Sequence, residues 1–446
     1  MDVVKINDVS HRRYNPLNGK WILIASPDKQ KRPRQAHEEP PISEEKIVYD
    51  PKCYLCPGNA RAQGGRRNPK YTETFLFRND FSTIDSKRGE DDLETGSKLS
   101  YIKLIKVDFS RMLDSEDLFQ AEPVFGRCYV LTYSAKHYMT VPDMTLQDVS
   151  NIVEVWSNLY SRYLSPRNPL KLAVQKAGNP DLTSCDDKDI SDSAYFKYFQ
   201  IFDNNGAVAG CSNLHSHCQI WISSTMPEEP RAEAEQMKNY RNDHCGRHLL
   251  ADYLKQEQEK KERIVWQNDT FVIVTPWWAV WPFEVLVIPK RHVRALVDLT
   301  EIEKLHFAEA ILHLAQSYDK LFGYPFPYVS GLHQAPLDAT EEELENSYLH
   351  MHFCPPLLRS SIRKFFGGYE LFAEPSREIT PETAADMLRR AQVEILESES
   401  ECSCPTDSKT VSIDTEKPAE GKKSLLSFKS VVNRVLGIAR CKVEKT

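Results

Sequence analysis

An internal repeat constrains this chain more than any other feature. Residues 128–145, CYVLTYSAKHYMTVPDMT, match residues 283–300, FEVLVIPKRHVRALVDLT, without a gap. Each copy opens on a Val- and Leu-rich stretch that reads as a buried strand. Each places a histidine close to its end, at Lys136-His137 and Lys290-Arg291-His292, and reaches a threonine eight residues later, Thr145 and Thr300. Three positions on stand Asp148 and Glu303, which gives both segments the pattern of a capping box. Helical periodicity follows in both. The first helix carries Val149, Ile152, Val153, Val155, Trp156 and Leu159; the second carries Ile302, Leu305, Ala308, Ile311, Leu312 and Ala315. Each half closes on a His-x-His strand, His215-Ser216-His217 and His350-Met351-His352. A strand, helix, strand unit used twice predicts an α+β fold of two equivalent halves.

The bulk properties fit that frame. With 446 residues, 41% hydrophobic and 27% charged, the chain can bury a large core, as two or three domains or one large unit. A net charge of −7 argues against a nucleic-acid partner, so any phosphate must be recognised by a local pocket. Residues 1–14 are polar and do not read as a secretory signal, and no apolar run approaches the about 18 residues of a membrane span. Eleven scattered cysteines then point to a reduced, cytoplasmic protein rather than a disulfide scaffold. Trp21 to Ala25 reads as a strand, and residues 85–118 and 165–193 read as loops. Residues 396–425 read as a disordered tail. Beyond it, Leu425, Leu426, Phe428, Val431, Val432, Val435 and Leu436 recur at helical spacing, for a docking helix or a membrane-surface helix. Trp277, Trp278 and Trp281 are expected in the core or at a dimer interface.

The chemistry concentrates in residues 204–221, NNGAVAGCSNLHSHCQIW. A Gly- and Ala-rich turn, with Gly206 and Gly210, lets backbone amides approach a phosphate. On a strand, His215, His217 and Gln219 would share one face. Imidazole can attack an electrophilic phosphorus and expel the group bonded to it, leaving a reactive phosphoramidate. If the acceptor of that group is already anionic, such a site needs positioning and charge stabilisation more than a strong base.

This run resembles the active-site signature of the histidine-triad superfamily, in its galactose-1-phosphate uridylyltransferase branch. That family usually reads Gly-Cys-Ser-Asn-Pro-His-Pro-His-x-Gln; here Gly210-Cys211-Ser212-Asn213-Leu214-His215-Ser216-His217-Cys218-Gln219 stands, with Leu214 and Ser216 replacing both prolines. The resemblance covers roughly residues 10–395 and implies a large, mostly antiparallel sheet, a half-barrel, with flanking helices. It implies three segments: residues 1–240 with the nucleophile, 241–395 with the hexose-phosphate segment, and the tail 396–446. It assigns His217 as nucleophile, with Gln219, Ser212 and Arg32 around the transferred group. It assigns the nucleotide to Asn79, Asp80 and Asn204, and the hexose phosphate to Lys364, Phe365, Tyr369 and Glu370. Ser376 stands where family members carry a phosphate-contacting Gln. The implied substrates are UDP-glucose, UDP-galactose, galactose-1-phosphate and glucose-1-phosphate, and the implied assembly is a homodimer. A related nucleotide phosphorylase or hydrolase, or a binding protein without turnover, are the alternatives.

Cys53-Tyr54-Leu55-Cys56 is a C-x-x-C knuckle, which alone suits metal, redox chemistry or simple burial. The resemblance supplies His137 and His215 and so implies a Cys₂His₂ zinc site. It implies a second metal, zinc or iron, on Glu233, His333, His350 and His352. The alternative is that His350 and His352 are relics of the repeated strand, satisfied by hydrogen bonds.

Overall fold

A computed structural model describes residues 6–25, 46–63, 65–84, 118, 122, 124–177, 193–359, 362–364 and 366–402. The chain divides into two units, Met1–Glu399 and Ser400–Thr446. The sites below lie in the first. Arg32, Phe365 and the helical pattern at 425–436 fall outside the described residues, as does nearly all of the 85–118 segment.

Fourteen strands and eight α-helices are described. A nine-stranded sheet forms the centre, in the order β3-β4-β6-β5-β10-β11-β9-β8-β7, and every pairing in it is antiparallel. Its strands are β3 (Phe75–Arg78), β4 (Gly126–Thr132), β5 (Tyr198–Asn205), β6 (His217–Ser223), β7 (Ile264–Gln267), β8 (Phe271–Val274), β9 (Val285–Pro289), β10 (Tyr328–His333) and β11 (His350–Cys354). The sheet is open, with β3 and β7 at its edges. Its order turns about the β5–β10 pair: β6, β4 and β3 lie on one side, and β11, β9 and β8 on the other. The repeated strands of the sequence are β4 and β9, and both are buried along their whole length.

Both expected capping boxes form. Thr145 opens α1 (Leu146–Tyr163) and Thr300 opens α5 (Glu301–Phe322), each with reciprocal bonds to the acidic residue three positions on. The apolar stripes of these helices meet the sheet in one cluster, where Val153, Trp156 and Leu159 join Phe307, Ile311 and Leu314. Strand alternation then divides the residues between two faces. Phe271 and Ile273 of β8 face that cluster, while Val272 and Val274 face a second one with Leu249, Leu250 and Leu254. The second cluster is closed by α3 (Glu228–Asp243) and α4 (Leu249–Lys260), together with Ile22 and Ile24 of β2 (Lys20–Ile24). Trp278 is buried there, and Arg13 stacks over Trp277 at 3.7 Å.

Two segments depart from expectation. Within residues 165–193, Pro169–Ala177 forms a helix, α2. Asn168 starts it by accepting the Leu170 N–H at 2.9 Å, and Pro169 occupies the first turn, where its missing N–H costs nothing. The helix Pro381–Cys402, here α8, runs past residue 396 into the segment expected to be disordered. No helix among the described residues is long and apolar enough to cross a membrane.

Candidate active site and metal centres

Strand β6 begins at His217, which corrects the expectation that His215 lies on the strand. From there burial alternates: His217, Gln219 and Trp221 are half-buried, while Cys218, Ile220 and Ile222 face the core. His217, Gln219 and Ser212 line one small pocket with Asn204, Phe202, Gly210 and Cys211. Burial lowers the pKa of His217, which favours the neutral ring. Its Nδ1 donates to the His215 carbonyl at 2.8 Å. A carbonyl can only accept, so the proton sits on Nδ1 and the Nε2 lone pair is free.

Gly206 and Gly210 hold positive φ of 85° and 88°, which a side chain would oppose. The turn they frame spends its own amides: Ala209 N–H and Cys211 N–H donate to Gly206, and Gly210 N–H to Ala207. These three amides are therefore engaged within the turn itself. Gln219, Ser212 and Asn204 bring side-chain donors to the pocket.

His215 is fully buried and turned away from the strand. Its Nε2 donates to the Ser134 carbonyl at 2.7 Å, which leaves Nδ1 facing Cys56 Sγ at 3.5 Å and Cys53 Sγ at 3.8 Å. His137 Nδ1 is 3.5 Å from Cys56 Sγ. Ligands of a tetrahedral zinc, at Zn–S and Zn–N lengths of about 2.3 and 2.1 Å, are separated by about 3.6 Å for an S···N pair. The four residues thus fit a metal ion, and their ligand atoms all lie within 4.8 Å of one another. Burial raises the Cys56 thiol to about 12, so loading a cation there must release protons. Two asparagines that the sequence reading missed hold the knuckle. Asn59 Nδ2 donates to the Cys53 carbonyl at 2.8 Å, and Asn68 Nδ2 to the Cys56 carbonyl at 3.0 Å.

The second half brings Glu233, on α3, to His333, His350 and His352. The β10–β11 register sets His333 opposite His350 and Gly331 opposite His352. His350 Nδ1 donates to the Tyr348 carbonyl at 2.8 Å, leaving its Nε2 to face Glu233 at 3.2 Å. His352 Nε2 lies 3.5 Å from the other carboxylate oxygen. Both Nε2 atoms are buried and neither has a hydrogen-bond partner. Such spacing suits ligands about 3.4 Å apart around one tetrahedral ion, and buried lone pairs without partners are costly unless a cation takes them. Only His333 makes a direct bond, Nδ1 to Glu233 at 2.7 Å. Burial opposes the Glu233 charge, but His333, which bonds it directly, outweighs burial and holds the carboxyl well below its usual range.

The remaining sequence-assigned residues are placed as follows. Asn79 and Asp80 follow β3; Asn79 Nδ2 approaches Gln219 Oε1 at 3.4 Å. Asp80 is gripped by the Arg61 guanidinium, at 2.5 and 3.2 Å to its two oxygens. Lys364 is buried, with its ammonium on the Ser376 carbonyl and near Glu378 and Glu370, at 3.6 and 3.9 Å. Ser376 Oγ donates to Glu370 at 2.6 Å, while Tyr369 is half-exposed. Arg363 ties this segment to the pocket turn through the Val208 carbonyl.

Known proteins resemble this chain over most of its length. Residues 2–227 match the model of the galactose-1-phosphate uridyl transferase N-terminal domain, and residues 233–401 that of its C-terminal domain. A galactose-1-phosphate uridylyltransferase of Neurospora crassa is 51% identical over 86% of this chain and 96% of its own. A solved uridylyltransferase structure superposes with a TM-score of 0.58, at 23% identity, over 86% of this chain and 99% of that one. An ADP-glucose phosphorylase from Arabidopsis thaliana shares the fold at the same TM-score, 20% identity, and 85% and 98% coverage. The chain belongs to the galactose-1-phosphate uridylyltransferase family.

Proposed function

We propose that this enzyme moves a uridylyl group between UDP-glucose and galactose-1-phosphate, giving UDP-galactose and glucose-1-phosphate. The observation that carries this reading is the His217 ring, pinned through Nδ1 to His215 with Nε2 left free in a polar pocket. His217 Nε2 attacks the α-phosphorus of UDP-glucose. The P–O bond to glucose-1-phosphate breaks, and its electron pair leaves with that oxygen. The Nδ1 proton stays on the ring, hydrogen-bonded to the His215 carbonyl, so the uridylyl-imidazole is a cation and a good leaving group. A phosphate oxygen of galactose-1-phosphate then attacks phosphorus from the vacated side, and the P–N bond returns its electrons to Nε2. Gln219, Ser212 and Asn204 are suited to donate to the phosphoryl oxygens as charge builds.

Zinc on Cys53, Cys56, His137 and His215 would hold His215, and with it the carbonyl that sets the His217 tautomer. Glu233, His333, His350 and His352 would hold zinc or iron as a brace in the second half. Arg32 is assigned to the transferred group, Asn79, Asp80 and Asn204 to the nucleotide, and Lys364, Phe365, Tyr369 and Glu370 to the hexose phosphate. Residues 1–240 and 241–395 are read as the two functional halves. The family resemblance supports a homodimer, and the scattered cysteines support a reduced, cytoplasmic setting.

The test is a single half-reaction. With UDP-glucose alone, the enzyme should release glucose-1-phosphate and keep one acid-labile, base-stable uridylyl group per chain. Galactose-1-phosphate should then discharge it as UDP-galactose. Mapping of the label to any residue but His217 would reject the mechanism. Discharge only to phosphate or water would favour a phosphorylase or hydrolase.

A further inference from the structure

Gln219 can help a phosphoryl group only if its NH₂ end, not its oxygen, faces the pocket. Nothing in Gln219 itself decides this, because a side-chain amide can rotate by half a turn with little change in shape. Its surroundings do decide it. Trp221, two residues along β6 on the same face, directs its indole Nε1–H to Gln219 Oε1 at 3.1 Å. Indole can donate and cannot accept, so the Gln219 atom it meets must be the oxygen. Asn79 gives the same answer independently. Its Oδ1 accepts the Phe81 backbone N–H at 2.9 Å, so the end that reaches Gln219 Oε1, at 3.4 Å, is its NH₂. The opposite rotamer of Gln219 would set N–H against N–H twice.

We infer that Trp221 is a positioning residue that locks the Gln219 amide with Nε2 toward the pocket. This rests on the reading of Gln219 as a phosphoryl donor given above. Trp221 is outside the set of side chains that line the pocket, and its ring is held edge-on by Phe202, with centroids 5.5 Å apart. It therefore acts through Gln219. The sequence carries the whole device within five residues: His217, Gln219 and Trp221 fall on alternate strand positions, as nucleophile, donor and lock.

The experiment is a double-mutant cycle on the uridylylation half-reaction. Trp221→Phe keeps an aromatic ring against Phe202 and removes the N–H along with part of the ring. It should lower kcat by roughly ten-fold, part of the about 10²-fold that a lost oxyanion donor costs, with KM for UDP-glucose changed by less than about two-fold. In a Gln219→Ala background the same substitution should cost nothing further. Full activity of Trp221→Phe overturns the inference, as does an equal loss in both backgrounds, which would mark a merely structural role. If Trp221→Phe does not fold, Asn79→Ala removes the second donor. It should lower kcat less, and that kcat loss too should vanish beside Gln219→Ala; persistence there overturns the inference. If Gln219→Ala alone leaves the rate unchanged, the donor reading of the site falls together with the lock. If Gln219→Ala is slow and Trp221→Phe is not, the lock alone is wrong.

Discussion

The strands that end the two His-x-His pairs, β6 and β11, hold corresponding places in the sheet, yet the pairs end in different chemistry. Both halves use one device to fix a tautomer. His217 Nδ1 donates to the carbonyl two residues back, and so does His350 Nδ1. Each leaves an Nε2 lone pair on a buried face. What stands opposite differs. Over β11 the α3 helix delivers Glu233, and both histidines of the pair turn to it because the strand already includes them. Over β6 a turn framed by two positive-φ glycines leaves a pocket, and the strand starts one histidine late. His215 is thereby free to swing onto the cysteines while its carbonyl still serves His217. An oriented imidazole becomes a ligand or a nucleophile according to its opposite wall.

That contrast can be broken most sharply at the two histidines themselves. His217→Gly should lower turnover by roughly 10⁴-fold or more, since no other group can form the covalent bond. His352→Ala should keep turnover within about ten-fold of the parent and lose metal at the second site instead. Steady-state rates with metal content on the same preparations decide it. Comparable rate losses in both variants would mean that the second centre takes part in the chemistry. Next in size, Gln219→Ala should slow both half-reactions by about 10²-fold without loss of either metal. A slowing confined to one half-reaction would show that the donor serves only one of the two sugar phosphates.

Between the two metal centres the expected difference is in what fails. Cys53→Ser should remove about one zinc per chain, lower Tm by roughly 5 °C or more, and reduce activity through His215. Glu233→Gln should lower Tm similarly while leaving the rate of the folded fraction closer to the parent. Elemental analysis beside a thermal melt checks both. Zinc retained in Cys53→Ser would contradict the ligand assignment.

Much of this was legible in the sequence where the signal is local. The repeat with its capping boxes gave strands β4 and β9 and helices α1 and α5, because periodicity and caps act within about ten residues. Both metal sets and the pocket histidine came from the family resemblance, and the structure brings each set together. Contacts between distant segments were not legible. Asn59 and Asn68 look like ordinary loop residues until they are seen holding Cys53 and Cys56. Arg61 gives no sign in the sequence that it will neutralise Asp80 across 19 residues. The start of β6 was also hidden, since alternation says which residues share a face but not where pairing begins. Helix α2 was a missed local signal: Asn168 as cap and Pro169 behind it were there to be read.

The smallest expected effect compares the two capping boxes. Thr145 and Asp148 cap α1 with their own reciprocal bonds, on an exposed surface. Thr300 and Glu303 cap α5 likewise, but Arg291 adds a two-pronged grip on Glu303, at 2.6 and 2.7 Å. That guanidinium, with the Thr300 bonds, outweighs burial and brings the Glu303 carboxyl down to about 2 from an ordinary 4.5. Thr145→Ala and Thr300→Ala should each cost about 1 kcal/mol, the usual value of a lost cap, with Thr300→Ala the larger. Glu303 adds a dependence on pH. A carboxyl whose pKa is lower in the folded state stabilises it at pH above 4.5, and that contribution is lost as pH falls toward about 2. Glu303→Gln should therefore be less stable than the parent at pH 7, and the gap should narrow steadily below pH 4.5. Urea unfolding of both proteins from pH 7 to pH 3 measures the gap directly. A gap that stays constant over that range would mean that the bonds of Glu303 stabilise the helix without any preference for its charge.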